Sequence, residues 1–225
     1  MNEVHYFALE QNCDTANVAH TNKSLKYMFV KILKRIGILF VFAFMALVVY
    51  RGVFVLIPKE RTDTQVAKIH ATRLSLVDVL GKNLPPTPSN PDATIAGVDA
   101  NKNGIRDDVE LAIFKEYPKS AKTRLPLLQY ALVLQMQMTL PKINKETFTA
   151  TVEDKDRALN CIWSISSRSD LKKFDEETTR NEVFVTSRQT NTEQRKKYLH
   201  DLYNYLGSYS SPNEGCDLDL SALPN

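Results

Sequence analysis

Glycine and proline are scarce, at 7 and 10 residues in a chain of 225. That scarcity excludes a collagen-like fibre or a low-complexity protein, and no internal repeat is found. Blocks of like charge are missing too. Acids and bases are mixed along the chain and the formal net charge is only +3. Nothing in that pattern asks for nucleic acid or an acidic polymer as a partner. The common catalytic signatures are absent: no H-E-x-x-H, no G-x-S-x-G, no P-loop and no G-x-G-x-x-G. His5, His20, His70 and His200 are scattered, so no catalytic set is nominated. No convincing run of alternating strands occurs, which leaves an all-α fold as the expectation.

One long stretch lacks charge altogether. Ile36 to Tyr50 reads Ile-Gly-Ile-Leu-Phe-Val-Phe-Ala-Phe-Met-Ala-Leu-Val-Val-Tyr; Arg51 interrupts, and Gly52–Ile57 continues to Pro58. A helix needs about 20 apolar residues to cross the hydrocarbon core. The segment 36–57 reaches that length if Arg51, near its end, snorkels to the headgroups. Lys23, Lys26, Lys31, Lys34 and Arg35 precede the run. The positive-inside rule keeps them in the cytoplasm and sends the rest across. The expected location is therefore a bacterial inner membrane, single pass, with a periplasmic C-terminal domain. Two alternatives stay open. One is a cleaved export signal, with translation starting at Met28 and residues 1–27 an upstream extension; no small-x-small site follows the run, which favours an uncleaved anchor. The other is a buried core helix.

Beyond the anchor, residues 58–91 read as a stalk. A helix over 62–80 carries Val66, Ile69, Leu76, Val77 and Leu80 on one face, broken by Arg73. A stiff linker follows, Leu84-Pro-Pro-Thr-Pro-Ser-Asn-Pro91. The remainder, 92–225, reads as one helical domain. Its expected helices are Asp107–Tyr117, Ser120–Leu140, Glu153–Ser167, Asp170–Val185 and Thr192–Leu206. The second is apolar nearly all round and belongs at the centre of the core. Gly207 is expected to close the last. Arg195-Lys-Lys197 reads as a solvated face, Asp217 and Asp219 as solvated tail acids, and Trp163 as core.

Twelve residues stand out: Asp99-Ala-Asn101-Lys-Asn103-Gly104-Ile105-Arg-Asp107-Asp-Val-Glu110. They fit D-x-[DN]-x-[DN]-G-x5-E. Side chains at 99, 101 and 103 point into one concavity, and Gly104 permits the sharp turn. Ile105 offers its carbonyl, Asp107 a ligand directly or through water, and Glu110 two oxygens. The plain alternative is an Asn-Gly turn before an acid-rich helix start. The loop resembles the EF-hand loop, and more closely the thrombospondin type 3 and related bacterial calcium repeats. Those place an aliphatic residue after the Gly and an acid two further on, as Ile105 and Asp107 do. The resemblance implies calcium, and covers these twelve residues alone. Arg106 stands where an EF-hand has its aliphatic residue, and a Pro-rich stretch replaces the entering helix. Two Asn in place of Asp predict weak affinity, on the order of 0.1–1 mM.

Cys13 precedes the membrane segment; Cys161 and Cys216 follow it. Two thiols on an oxidising side can pair, so a Cys161–Cys216 disulfide is expected, with a buried free Cys161 as the alternative. The functional expectation is a membrane-anchored, calcium-stabilised helical envelope protein that binds or scaffolds, with the membrane and other envelope proteins as partners. The alternatives are an envelope enzyme of hydrolase type using Glu110, Asp107 or His200, and a membrane subunit of a larger assembly.

Overall fold

A computed structural model describes the backbone of residues 3–141 and 143–225, and the side chains of residues 25–57, 59–141 and 143–225. Cys13, His5, His20 and Lys23 lie outside the described side chains. Among the described residues all regular structure is helical and no strand occurs. The chain divides into two compact units, Met1–Glu60 and Arg61–Asn225.

The first unit is built on helix α1, Glu3–Arg51, followed by a five-residue π-helical stretch, Gly52–Leu56. Helix α2 begins there and runs over Ile57–Ala71. The helical stretch Leu25–Ala71 is long and apolar enough to cross a membrane, and none of its apolar window is buried. Phe40 and Phe42 are 74% and 69% exposed.

The second unit is organised around α5, Ala121–Met138. Ser120 caps it, accepting a hydrogen bond from the Thr123 N–H. Leu125, Leu127, Leu128, Leu132, Val133 and Leu134 are all buried, so the helix occupies the middle of the core, as its sequence predicts. Its few polar side chains each hold a peripheral segment. Arg124 donates to the carbonyls of Val79, Tyr117 and Pro118. Gln135 Nε2 donates to Ala96 O at 2.6 Å, and Gln129 Nε2 to Gly215 O at 3.0 Å. Around α5 pack α4 (Asp107–Glu116), α6 (Lys145–Ser164), α7 (Leu171–Gln189) and α8 (Glu193–Leu202).

The structure differs from the sequence expectations at several places. The helix expected over 62–80 is two. α2 stops at Ala71, and α3, Leu76–Val79, restarts on a capping box between Ser75 and Asp78. The break turns Leu74 and Val79 into the core and leaves Leu76 and Val77 exposed. It also lets Arg73 leave the apolar stripe that it interrupts in sequence. Residues 61–91 belong to the compact second unit, and Pro85 within the Pro-rich stretch is buried. Helix α6 starts at Lys145, well before Glu153, on an Asn144–Thr147 capping box. Helix α8 ends at Leu202 in a short 3-10 turn over Tyr203–Tyr205. Gly207 serves close approach: its N–H donates to Thr149 Oγ1 at 2.8 Å, and a Cβ there would stand 2.6 Å from Lys145 Cε. Trp163 is 38% exposed and is not core.

The expected disulfide is present. Cys161 of α6 and Cys216 of the tail are bonded, with Cα atoms 4.7 Å apart. Closing a loop of 55 residues stabilises the fold by about 4 kcal/mol in the chain-entropy description.

Candidate metal centre

The loop 99–110 follows the irregular segment 84–98 and runs into α4, which Asp107 begins. Its turn needs two left-handed residues: Lys102 has φ 58° and Gly104 φ 84°. A Cβ on Gly104 would also stand 2.7 Å from Leu132 Cδ1 of α5, so glycine is required there by both conformation and packing. Ile105 beside it is fully buried and anchors the loop in the core. The Asp107 N–H closes the turn on Val98 O at 2.9 Å.

The carboxylates are turned inward. Asp99 accepts from the N–H groups of Asn103 and Gly104, at 3.1 and 3.0 Å. Asp107 accepts from the Ala100 N–H at 3.0 Å. Glu110 is fully buried, and its two oxygens accept from Asn101 Nδ2 at 3.1 Å and Asn103 Nδ2 at 3.0 Å. Asn103 Oδ1 accepts from the Ile105 N–H at 2.9 Å. Asn101 Oδ1 is buried with no hydrogen-bond partner. Of the six residues expected from the motif, Asn101, Asn103 and Glu110 meet through side chains, Asp99 and Asp107 bind backbone N–H groups of the loop, and Ile105 joins through its own N–H.

The electrostatics follow from burial. Desolvation pushes the Glu110 carboxyl up to about 7; hydrogen bonds from Asn101 and Asn103 oppose this, while the charges of Asp78 and Asp107 add to it. Burial likewise raises Asp107, against the Ala100 N–H and with help from Asp99 and Asp108. Among the described residues no group of three or more His, Cys, Asp or Glu side chains gathers to hold a metal ion. What the loop gathers is a mixed set of carboxylates, carboxamides and backbone. Two features of that set suit a hard cation. One buried carboxamide oxygen has no partner, and one buried carboxylate is met only by neutral amides. Turning the Asn101 and Asn103 amides over would present oxygens to a cation where nitrogens now meet Glu110.

No protein-family model, curated protein or solved structure matches the chain.

Neighbouring residues that the motif does not contain also build the site. Asp78 raises the Glu110 carboxyl through space, and Asn83 O accepts from Asn101 Nδ2 at 2.7 Å. The Ser75-Leu-Val-Asp78 spacing is a legible capping box, but only the fold carries it to the loop. Arg106, where an EF-hand has an aliphatic residue, is fully buried. It pairs with Asp108 and donates to the carbonyls of Arg188 and Gln189 at the end of α7. Arg195 corrects the solvated-face expectation: it is 1% exposed, while Lys196 and Lys197 stay outside. Its guanidinium donates to the carbonyls of Pro91, Thr94 and Ile95 and pairs with Asp92. Arg106 and Arg195 together bind the entry to the loop against α7 and α8.

Of the two tail acids expected to be solvated, Asp219 is exposed and Asp217 is not. Asp217 has a fully buried side chain paired with Arg157, and it accepts from the Leu74 N–H at 2.9 Å. Asp219 caps the last turn, accepting from the Ser221 N–H. Asp217 and Asp219 therefore do separate structural work and form no metal pair. His200 lies on an exposed face beside Asp201, apart from the loop residues in hydrogen bonding.

Proposed function

We propose that this is a single-pass membrane protein whose helical unit, residues 61–225, sits outside the cytoplasm of a bacterial cell. Calcium bound at 99–110 steadies it, and it acts by binding or scaffolding within the envelope. Orientation is argued from the basic flank Lys23, Lys26, Lys31, Lys34 and Arg35. The Cys161–Cys216 bond supports the same side, because disulfides persist in oxidising compartments.

The observation that carries the calcium reading is the unpartnered Asn101 Oδ1 beside the buried Glu110 carboxylate. Asp99, Asn101, Asn103, Asp107 and Glu110 would hold the ion with the Ile105 carbonyl, in a loop that resembles the thrombospondin type 3 and EF-hand patterns. The ion would supply the positive charge that the neutral amides lack. Its role would be structural, fixing the segment 84–98 against α4.

The test is thermal unfolding of the full chain in detergent, with chelator or with about 5 mM calcium. For affinities on the order of 0.1–1 mM, calcium adds about 1–2 kcal/mol, or about 2–8 °C in Tm. Glu110→Gln is the telling variant. It removes the buried charge, so calcium-free stability holds while the calcium response disappears. No rise in the wild type, or an undiminished rise in Glu110→Gln, rejects the reading.

A further inference from the structure

A cavity of about 380 Å³ lies where the end of α2, helix α6 and the tail meet. His70 and Arg73 line it from one side, Glu153, Asp154 and Arg157 from α6, and Glu214 from the tail. It shares no residue with the calcium loop. Asp154 and Arg157 are each 3% exposed in their side chains, and each keeps one buried atom without a hydrogen-bond partner: Asp154 Oδ2 and Arg157 Nη2. His70 Nδ1 stands 3.4 Å from Asp154 Oδ2 without hydrogen-bond alignment.

The other contacts fall into two groups. Arg157 is firmly held from below: Nε donates to Asp154 Oδ1 at 2.9 Å, and Nη1 pairs with the buried Asp217. The ion pairs that Arg73 and His70 make across the cavity are longer. Arg73 stands 3.6 Å from Asp154, 3.5 Å from Asp217 and 3.9 Å from Glu214. His70 Nε2 is 3.4 Å from Glu153. The lining carboxylates of Glu153, Asp154 and Glu214 face the guanidiniums of Arg73 and Arg157. Three carboxylates against two guanidiniums leave one acid over before His70 is counted; Glu214 is 77% exposed and solvated, so the costly unmet acceptor is the buried Asp154 Oδ2.

We infer that this cavity binds a small molecule bearing an ammonium beside a carboxylate or carbonyl oxygen, the headgroup of an α-amino acid. An ammonium supplies the donor that Asp154 Oδ2 lacks, with the carboxylates of Glu153 and Glu214 beside it. The adjacent oxygen supplies the acceptor that Arg157 Nη2 lacks. A simple anion meets the excess of carboxylate, and a simple amine leaves Arg157 Nη2 unmet, so neither completes the site. The volume lies at the lower end of ligand cavities, which excludes bulky ligands.

Titration calorimetry on the full chain in detergent tests this, with each of the twenty free amino acids, glycylglycine, methylammonium and acetate as probes. The expected result is saturable binding of at least one free amino acid, with methylammonium and acetate at least tenfold weaker. Binding by glycylglycine but by no free amino acid assigns the headgroup to a peptide amino terminus and keeps the proposal. Asp154 and Arg157 are structural as well as lining, so the exposed-side variants Glu153→Gln and Arg73→Gln carry the test. Each is expected to weaken binding at least tenfold with the melting temperature preserved. Absence of heat with every probe overturns the proposal and leaves ordered water as the partner of the two atoms. Equal binding of methylammonium, or binding unchanged in both variants, overturns it as well.

Discussion

Arg195 donates to three backbone carbonyls of residues 91–95, at 2.8, 2.9 and 3.0 Å. The same guanidinium meets Asp92 and Asn191. A planar fork can satisfy all of these at once; an ammonium cannot. Removing it leaves part-buried carbonyls without their donor, so Arg195→Ala is expected to lower unfolding free energy by about 1–3 kcal/mol, read by urea denaturation. Arg195→Lys recovers little of that. Its partner Asp92 gives the pH signature. Hydrogen bonds from Asn191 and then Arg195 hold the Asp92 carboxyl below its ordinary value of 3.8, against some desolvation. A depressed pKa contributes stability in full above 3.8 that is lost as pH falls through the folded value. Wild type and Asp92→Asn therefore differ in stability at neutral pH, and their curves converge in acid.

At the scale of elements, sequence patterns were informative where burial alone sets the pattern. Helix α5 is apolar around its whole circumference and lies in the core as expected. The loop 99–110 could be read because its side-chain spacing and Gly104 are local requirements. Helix α6 was half hidden. Its first two turns, Lys145–Val152, include Thr147, Thr149 and Thr151, residues of modest helix propensity that the core nevertheless buries. The capping box that starts it uses Thr147 where the familiar pattern has Glu or Gln. Asn144→Ala is expected to cost about 1 kcal/mol, with helical content lost by circular dichroism only on approach to unfolding. Arg106, Arg195 and Asp217 could not be read. A charge in sequence is ordinarily a solvated charge, and each of these is held by partners 60–143 residues away, through contacts that exist only once the helices have packed.

At the scale of the whole molecule, the tail after α8 behaves as part of the core unit. Four kinds of tie hold it: the Cys161–Cys216 bond, the Asp217–Arg157 pair, the Gln129 side chain bridging Gly215 O and the Asp217 N–H, and Gly207 against α6. The bond itself acts mainly on the unfolded chain, by shortening the ensemble that folding must order. Reduction, or Cys161→Ala with Cys216→Ser, is therefore expected to lower stability by about 4 kcal/mol while the polar ties keep the native tail in place under non-denaturing conditions. Urea titration of oxidised and reduced protein measures the first part. Hydrogen exchange at the Asp217 N–H measures the second: protection that persists on reduction shows that the tail stays docked. Complete loss of protection without denaturant would mean that the sulfur bridge alone seats the tail, against the network described here. The same chemistry locates the unit. In native membranes kept oxidised, a thiol reagent is expected to leave Cys161 and Cys216 unmodified until reductant is added. Labelling of both without reductant would place residues 61–225 on the reducing side and overturn the proposed orientation.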